Sequence, residues 1–344
     1  MNYKAIVIGR GNIGGELISR LAGVSAITKA VVARKGVYTP KGEPHEGLTT
    51  GGTEDERVKA AFGMMEEEKP DVAFLAIPTT DDGSIALRYI QAILARGCKV
   101  VTSEKGALAH HFETLRPHLS QIGYRATVGG GTMMIPALRV RQMSGKPVTV
   151  NAVVNGTLNY IFAGVALEGR SLAEMVREAA SLQYAEPGAN DPLAVVRGEV
   201  KDVKMKLSVL FNAVFAKGEY LHPDSFQETE LSDDDLLAFT DPGAGYRYLT
   251  RLSNNSGPDL VAEGSPGSLK AKIGKWRVEA GFYNVIQGTD IGRWFPSGVN
   301  NAVMVKIGHH GDEGVYEVCR GPGAGPAAPA EAMLADAKEL LAIA

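Results

Sequence analysis

Cysteine is scarce: the 344 residues hold two, Cys98 and Cys319, with no C-x-x-C or other paired spacing. That excludes a disulfide framework and a cysteine-based zinc site, and it suits a reducing cytoplasm. Long apolar runs are missing as well. No stretch approaches the ~20 apolar residues of a membrane span, and Met1 leads straight into a strand-forming run without a basic leader or cleavage signal. The expectation is a cytoplasmic protein with no membrane partner. Charge of one sign is not in excess: 36 Lys and Arg face 39 Asp and Glu, a formal net charge of -3, and the basic residues are dispersed. Nothing electrostatic favours nucleic acid, so a small molecule is the expected partner. The adjacent pairs His110-His111 and His309-His310 find no second pair at ligand spacing. They read as solvated, and no metal is expected.

What is present is an alternation of apolar runs and helical spacing, over a length that suits two domains. YKAIVI (3–8) is a strand run, and Ile13 onward has helical spacing with Leu17, Ile18 and Leu21 on one side. Runs at 27–33, 71–77, 98–102 and 124–128 read as buried strands, with helical segments at about 54–66, 83–96 and 111–121 between them. This rhythm predicts an α/β fold with a doubly wound parallel sheet. After VGGGTMM (128–134) the rhythm changes: a strand at 148–154, a helix through NYIFAGVAL, a capping box at Ser171 to Glu174 and a long helix at about 191–215. A polar stretch, 222–270, precedes strand-like pieces at 276–287, 300–307 and 314–319, and a final amphipathic helix. The second part is therefore mixed α and β. The expected domains are 1–130, 131–320 and a terminal segment, 321–344, that docks back on another element.

The candidate chemistry sits where such a sheet binds ligands. GRGNIG (9–14), between strand and helix, has the form of a dinucleotide loop: Gly9 for the turn, Gly11 for backbone approach to a pyrophosphate, Gly14 for close packing, with Asn12 and Ile13 opening the helix. A plain tight turn is the bland alternative. At the end of the second strand NAD would want an acidic residue; VVARKG offers Arg34 and Lys35 instead, which suit the 2′-phosphate of NADP. NADP is the expected cofactor, with NAD as the alternative and a solvated basic turn as the bland reading. Pro78 and Thr79 end the third strand, and Ser103, Glu104 and Lys105 end the fourth, positions where ligands collect. Lys105, at a strand's carboxyl end, is a candidate for chemistry. Asp202 and Lys206 are four apart on a helix and share a face. Spacing alone describes a surface ion pair; the apolar continuation LSVLFNAVF leaves a buried functional pair open.

Several ordered stretches together resemble homoserine dehydrogenase, the NAD(P)-dependent family that interconverts aspartate semialdehyde and homoserine. GRGNIG resembles its cofactor loop, VTSEKGALA its lysine segment, VGGGTMMIPALR its hinge, and NGTLNYIF the segment that follows. YAEP followed by DVKMK resembles its substrate signature, and GVNNAVMV and GPGAG resemble C-terminal segments. The resemblance implies a Rossmann domain, a mixed α/β catalytic and dimerisation domain, and a C-terminal helix returning to the first. It implies a homodimer acting on a small amino-acid substrate, without the regulatory module of longer members. Catalysis falls to Lys105, Lys206 and Asp202, and substrate binding to Glu186, Asp191, Gly156 and Thr157. Gly323, in the GPGAG turn, joins the cofactor groups.

The sequence departs from the family pattern in three places. Glu104 replaces the family's Asn, which would put a carboxylate near the nicotinamide. Arg125 stands where members carry a glutamate ligand of a monovalent cation, so no such site is expected. The spacing from Glu186 to Asp202 is longer than usual, at the grip on the substrate amine. Two rival functions follow: a related dehydrogenase acting on another small hydroxy or amino acid, and a non-catalytic NADPH-binding regulator, against which the survival of both lysines argues.

Overall fold

A computed structural model describes residues 2–45, 52–140, 146–185, 191–241, 245–309 and 315–343. The chain divides into two units, 1–127 with 326–344, and 128–325. In the first, β1 (Tyr3–Ile8) is buried at every position except Lys4, as a parallel strand covered on both faces must be. A glycine turn leads into α1 (Asn12–Leu21), which buries Gly14, Leu17 and Leu21, and then to β2 (Ala26–Ala33) and β3 (Gly36–Tyr38). The unit continues through α2 (Glu54–Glu68), β4 (Val72–Leu75), α3 (Ser84–Ala95), β5 (Lys99–Thr102), α4 (Gly106–His110), α5 (Phe112–Leu115) and β6 (Ile122–Gly123).

Among the described residues the sheet order is β3-β2-β1-β4-β5-β6. All neighbours pair in parallel except β3, which folds back on β2. This is a Rossmann-type doubly wound sheet. The chain leaves β1 for β2 on one side and returns to β1 on the other with β4, so the carboxyl ends of β1 and β4 form the switch point at which such sheets bind ligands.

The second unit comprises α6 (Met134–Arg139), β7 (Val148–Val153), α7 (Gly156–Glu168), α8 (Leu172–Ser181) and α9 (Pro192–Val214). After these come β8 (Gln227–Glu228), α10 (Asp233–Phe239), β9 (Tyr246–Ser253), β10 (Leu269–Ile273), β11 (Trp276–Asn284), α11 (Asp290–Trp294), β12 (Asn300–Ile307) and β13 (Val315–Pro322). Its sheet, in the order β13-β12-β7-β9-β11-β10-β8 among the described residues, is antiparallel throughout. Helix α7 packs across β9 and β12 and against α8 and α9. Phe162 of α7 meets Phe282 of β11 edge to face at 4.8 Å. The Ser171 and Glu174 capping box forms as the sequence predicts.

The last helix, α12 (Ala327–Leu340), belongs to the first unit and buries Ala330, Met333 and Ala337 in the cluster that holds Leu17, Leu21 and Val101. Its docking explains a correction. The sequence predicts a strand over 124–128, but the strand is Ile122–Gly123, and Arg125–Thr127 is a 3-10 turn. The Arg125 backbone N–H donates to Asp336 Oδ2 at 2.8 Å, and its guanidinium pairs with Asp336 Oδ1 at 2.9 Å and with Glu339. Thr127 closes the turn on the Tyr124 carbonyl. Likewise, the helix expected over 111–121 becomes α5 followed by a 3-10 segment, Arg116–Gln121, in which Pro117 has no N–H to offer an α-helix.

Among the described residues no helix is long and apolar enough to cross a membrane.

Candidate functional site

In the first unit the site is made of backbone. Gly9 has φ 103° and its N–H donates to Val32 O at 2.8 Å, which ties the loop to the end of β2. A Cβ at Gly9 would lie 2.1 Å from Ala76 O, and one at Gly14 2.2 Å from Gly9 O. Both positions therefore demand glycine. Gly11 differs: nothing lies within 4 Å of its missing Cβ, so its outer side is open to a ligand. Gly11 caps α1 without a side-chain hydrogen bond, leaving the amides of the first turn, including Asn12 and Ile13, for an anion. The cradle fits a dinucleotide pyrophosphate. Arg34 and Lys35 are exposed in the turn between β2 and β3, with no acidic residue beside them in sequence.

The strand ends beside this loop bring together two more of the expected residues. Lys105 Nζ donates to Thr79 Oγ1 at 3.1 Å, Ser103 N donates to Leu75 O, and Pro78 is exposed just past β4. Glu104 stands between Ser103 and Lys105 at the same strand end. Only 1% exposed, its carboxylate turns into the protein and accepts the N–H groups of Gly106 at 2.6 Å and Ala107 at 3.1 Å. Burial raises its carboxyl above the usual glutamate range, an effect the two backbone hydrogen bonds and Lys105 oppose. Glu104 thus fixes the turn that presents Lys105.

In the second unit the site is made of side chains. Asp191 caps α9, its Oδ1 accepting Leu193 N at 3.0 Å, with Pro192 at the first helical position. About three to four turns along, Lys206 Nζ lies 2.6 Å from Asp202 Oδ2, and the two side chains are 15% and 20% exposed. The pair is therefore mostly buried, not a solvated surface pair. Asn155 joins them. Its Oδ1 caps α7 by accepting Leu158 N at 2.8 Å, while its Nδ2 donates to Asp202 Oδ2 at 3.1 Å and to Glu199 Oε2 at 2.7 Å. Asn155 and Glu199 were not among the expected residues. The Asn immediately before a helical run was a readable cap signal; Glu199, three before Asp202, gave no signal until the face of α9 was known.

Gly156 and Gly323 meet at the start of α7: a Cβ at Gly156 would lie 2.5 Å from Val299 O and 2.9 Å from Gly323 C. Gly323 in turn rests on the fully buried Asn301, whose amide makes no hydrogen bond among the described residues. Thr157 Oγ1 donates to Tyr184 O at 2.6 Å. Glu186 lies outside the described residues. Among those described, no cluster of three or more His, Cys, Asp and Glu is placed to hold a metal ion.

Comparison with known proteins bears on this arrangement. The family model described as homoserine dehydrogenase matches residues 134–337, more than half of the chain. Homoserine dehydrogenase of Lactococcus lactis is 28% identical over 259 residues, covering 73% of this chain and 53% of that protein. An NAD(+)-dependent homoserine dehydrogenase of Pseudomonas canavaninivorans is 30% identical over 192 residues, 54% of this chain and 52% of that one. The chain spans about half the length of these curated relatives. The solved structure of Thermoplasma acidophilum homoserine dehydrogenase superposes with a TM-score of 0.67 at 18% identity, covering 99% of this chain and 100% of that one. A hyperthermophilic archaeal homoserine dehydrogenase in complex with NADPH gives 0.65 at 20% identity, with 99% and 98% covered. At such identities the structural likeness speaks for the fold, and the family match speaks for descent: the chain belongs to the homoserine dehydrogenase family.

Proposed function

We propose that the protein interconverts L-homoserine and L-aspartate 4-semialdehyde, with NADP as its nicotinamide cofactor. The observation that carries this reading is the mostly buried Lys206 and Asp202 pair at 2.6 Å, inside the segment that matches the family. Support on the cofactor side comes from the open face of Gly11 and from Arg34 and Lys35 in place of an acidic residue after β2.

When bound, the nicotinamide supplies the hydride acceptor for alcohol oxidation and the hydride donor for aldehyde reduction. The chain's own residues handle charge and protons. Gly9, Gly11 and Gly14 hold the pyrophosphate against the first turn of α1, and Arg34 and Lys35 hold the 2′-phosphate. Asp202 and Glu199, one helical turn apart and bridged by Asn155, offer carboxylate oxygens to the substrate ammonium. Asp202 also orients Lys206 Nζ, which as the neutral amine takes the hydroxyl proton while hydride leaves C4 and, as the ammonium so formed, returns it in the reverse direction. Lys105, held by Thr79, adds positive charge where the carbonyl oxygen develops negative charge. Gly156, Thr157 and Gly323 shape the backbone at the start of α7, next to Asn155 in the chain, and Glu186 and Asp191 complete the proposed substrate-binding set.

The test is the rate of NADP reduction by purified protein with L-homoserine at alkaline pH, with NAD alongside. Turnover with NADP preferred is the expected result. A protein that binds NADPH yet leaves homoserine untouched would move the search to other small hydroxy and amino acids.

A further inference from the structure

The corner beyond β2 carries a third positive charge, contributed by the glycine loop itself. Arg10 fills a variable position of G-x-G, so glycine spacing says nothing about it. Its guanidinium carbon lies 5.8 Å from the centroid of the Tyr38 ring. The same group borders Gly42, whose missing Cβ would sit 3.3 Å from Arg10 Nη2. Tyr38 in turn covers Gly36, where a Cβ would meet ring Cζ and Oη at 3.4 Å. Through this ring Arg10 is linked to the hairpin turn of Arg34 and Lys35. The Gly9 N–H on Val32 O holds the whole loop to the end of β2, where Rossmann sheets place the adenosine ribose.

All three cations are exposed, and among the described residues none of them pairs with a carboxylate. A dianion bound at this corner would be attracted by all three positive charges. A guanidinium lying on an aromatic ring keeps its N–H edge free for two parallel bonds to a phosphate. We propose that Arg10 is a further specificity-determining residue, which joins Arg34 and Lys35 in binding the phosphate monoester on the 2′ position of NADP. The proposal rests on the reading of the glycine loop as a dinucleotide site. Because NAD has a hydroxyl there, the contact distinguishes the two cofactors instead of serving both.

Titration of wild-type and Arg10→Ala protein at low salt with NADPH, NADH, 2′,5′-ADP and 5′-AMP tests it. Arg10→Ala is expected to weaken NADPH and 2′,5′-ADP by about ten- to a hundredfold, the usual loss for a charge-assisted contact. NADH and 5′-AMP should change less than about twofold, as groups that never met the guanidinium. Equal weakening of NADPH and NADH, or an undiminished preference for the 2′-phosphate, overturns the role of Arg10 and leaves the dinucleotide reading standing. Wild-type protein that binds none of the four overturns both. Arg10→Lys, which keeps charge but loses the planar fork, should recover part of the preference; no recovery beyond Arg10→Ala would contradict a charge-based contact.

Discussion

After β1 the chain offers a ligand its backbone: three glycines, the amides of a helix turn, and strand ends crossed by Thr79 and Lys105. Along α9 it offers side chains, with Glu199, Asp202 and Lys206 on one face and Asn155 reaching across from the cap of α7. A backbone site is rigid because its geometry is also the geometry of the fold, and it tolerates no added Cβ at Gly9 or Gly14. A side-chain site can be altered one residue at a time while the helix stays intact. The first kind suits an invariant pyrophosphate. The second suits a substrate that must be told apart from its neighbours.

Substitutions can break this contrast or sharpen it. The largest effect on stability is expected at Gly9: Gly9→Ala forces a Cβ against Ala76 O at a left-handed backbone position, and should cost about 3 kcal/mol or more in urea unfolding. Gly11→Ala meets no atom within 4 Å, so stability should hold within about 0.5 kcal/mol while NADPH affinity falls. Equal destabilisation by both would show that the loop is only a turn. Next comes Arg125→Ala, which takes the guanidinium away from the buried Asp336 and leaves only the backbone N–H of this residue on it; it should lower stability by about 2 kcal/mol, read as loss of amide-exchange protection in α12.

Asn155 separates capping from the charged face of α9. Asn155→Asp keeps a good helix cap, so stability should stay within about 1 kcal/mol, yet it sets a third carboxylate against Glu199 and Asp202. Homoserine kcat/KM should drop about tenfold, a cost of about 1.4 kcal/mol in the transition state; an unchanged value would remove Asn155 and its partners from the site. The smallest effect is at Glu104. Because burial raises its folded-state pKa, its contribution to stability is complete below the ordinary glutamate value and declines as pH climbs to the raised value. Unfolding of wild type and Glu104→Gln from pH 4 to 8 should show wild type losing ground to the variant with rising pH. A constant difference between them would mean that Glu104 keeps an ordinary pKa.

The first region was the more legible one, because glycine spacing, strand runs and the missing acid after β2 are local signals. What escaped was set by tertiary contacts. Strand β9, in a stretch that reads as polar, places Arg247 and Arg251 among buried neighbours; Arg247 is 5% exposed, and burial lowers its guanidinium to about 10. Its Nη2 donates to Asn159 Oδ1 and Pro296 O, and no alternation of apolar residues marks such a strand. The strand expected at 124–128 yielded to Asp336, more than two hundred residues away in sequence. On α9 the four-residue spacing of Asp202 and Lys206 was visible, but their burial and the place of Glu199 beside them depended on Asn155 folding over from another helix.

The most direct test compares wild-type protein with Lys206→Ala, measuring NADP reduction by L-homoserine and NADPH binding on the same samples. The account predicts turnover by wild type, a loss on the order of 100- to 10,000-fold in kcat for the variant, and NADPH affinity within about twofold, because the cofactor groups lie on other residues. A variant that turns over like wild type, or one that loses only its grip on NADPH, would contradict it.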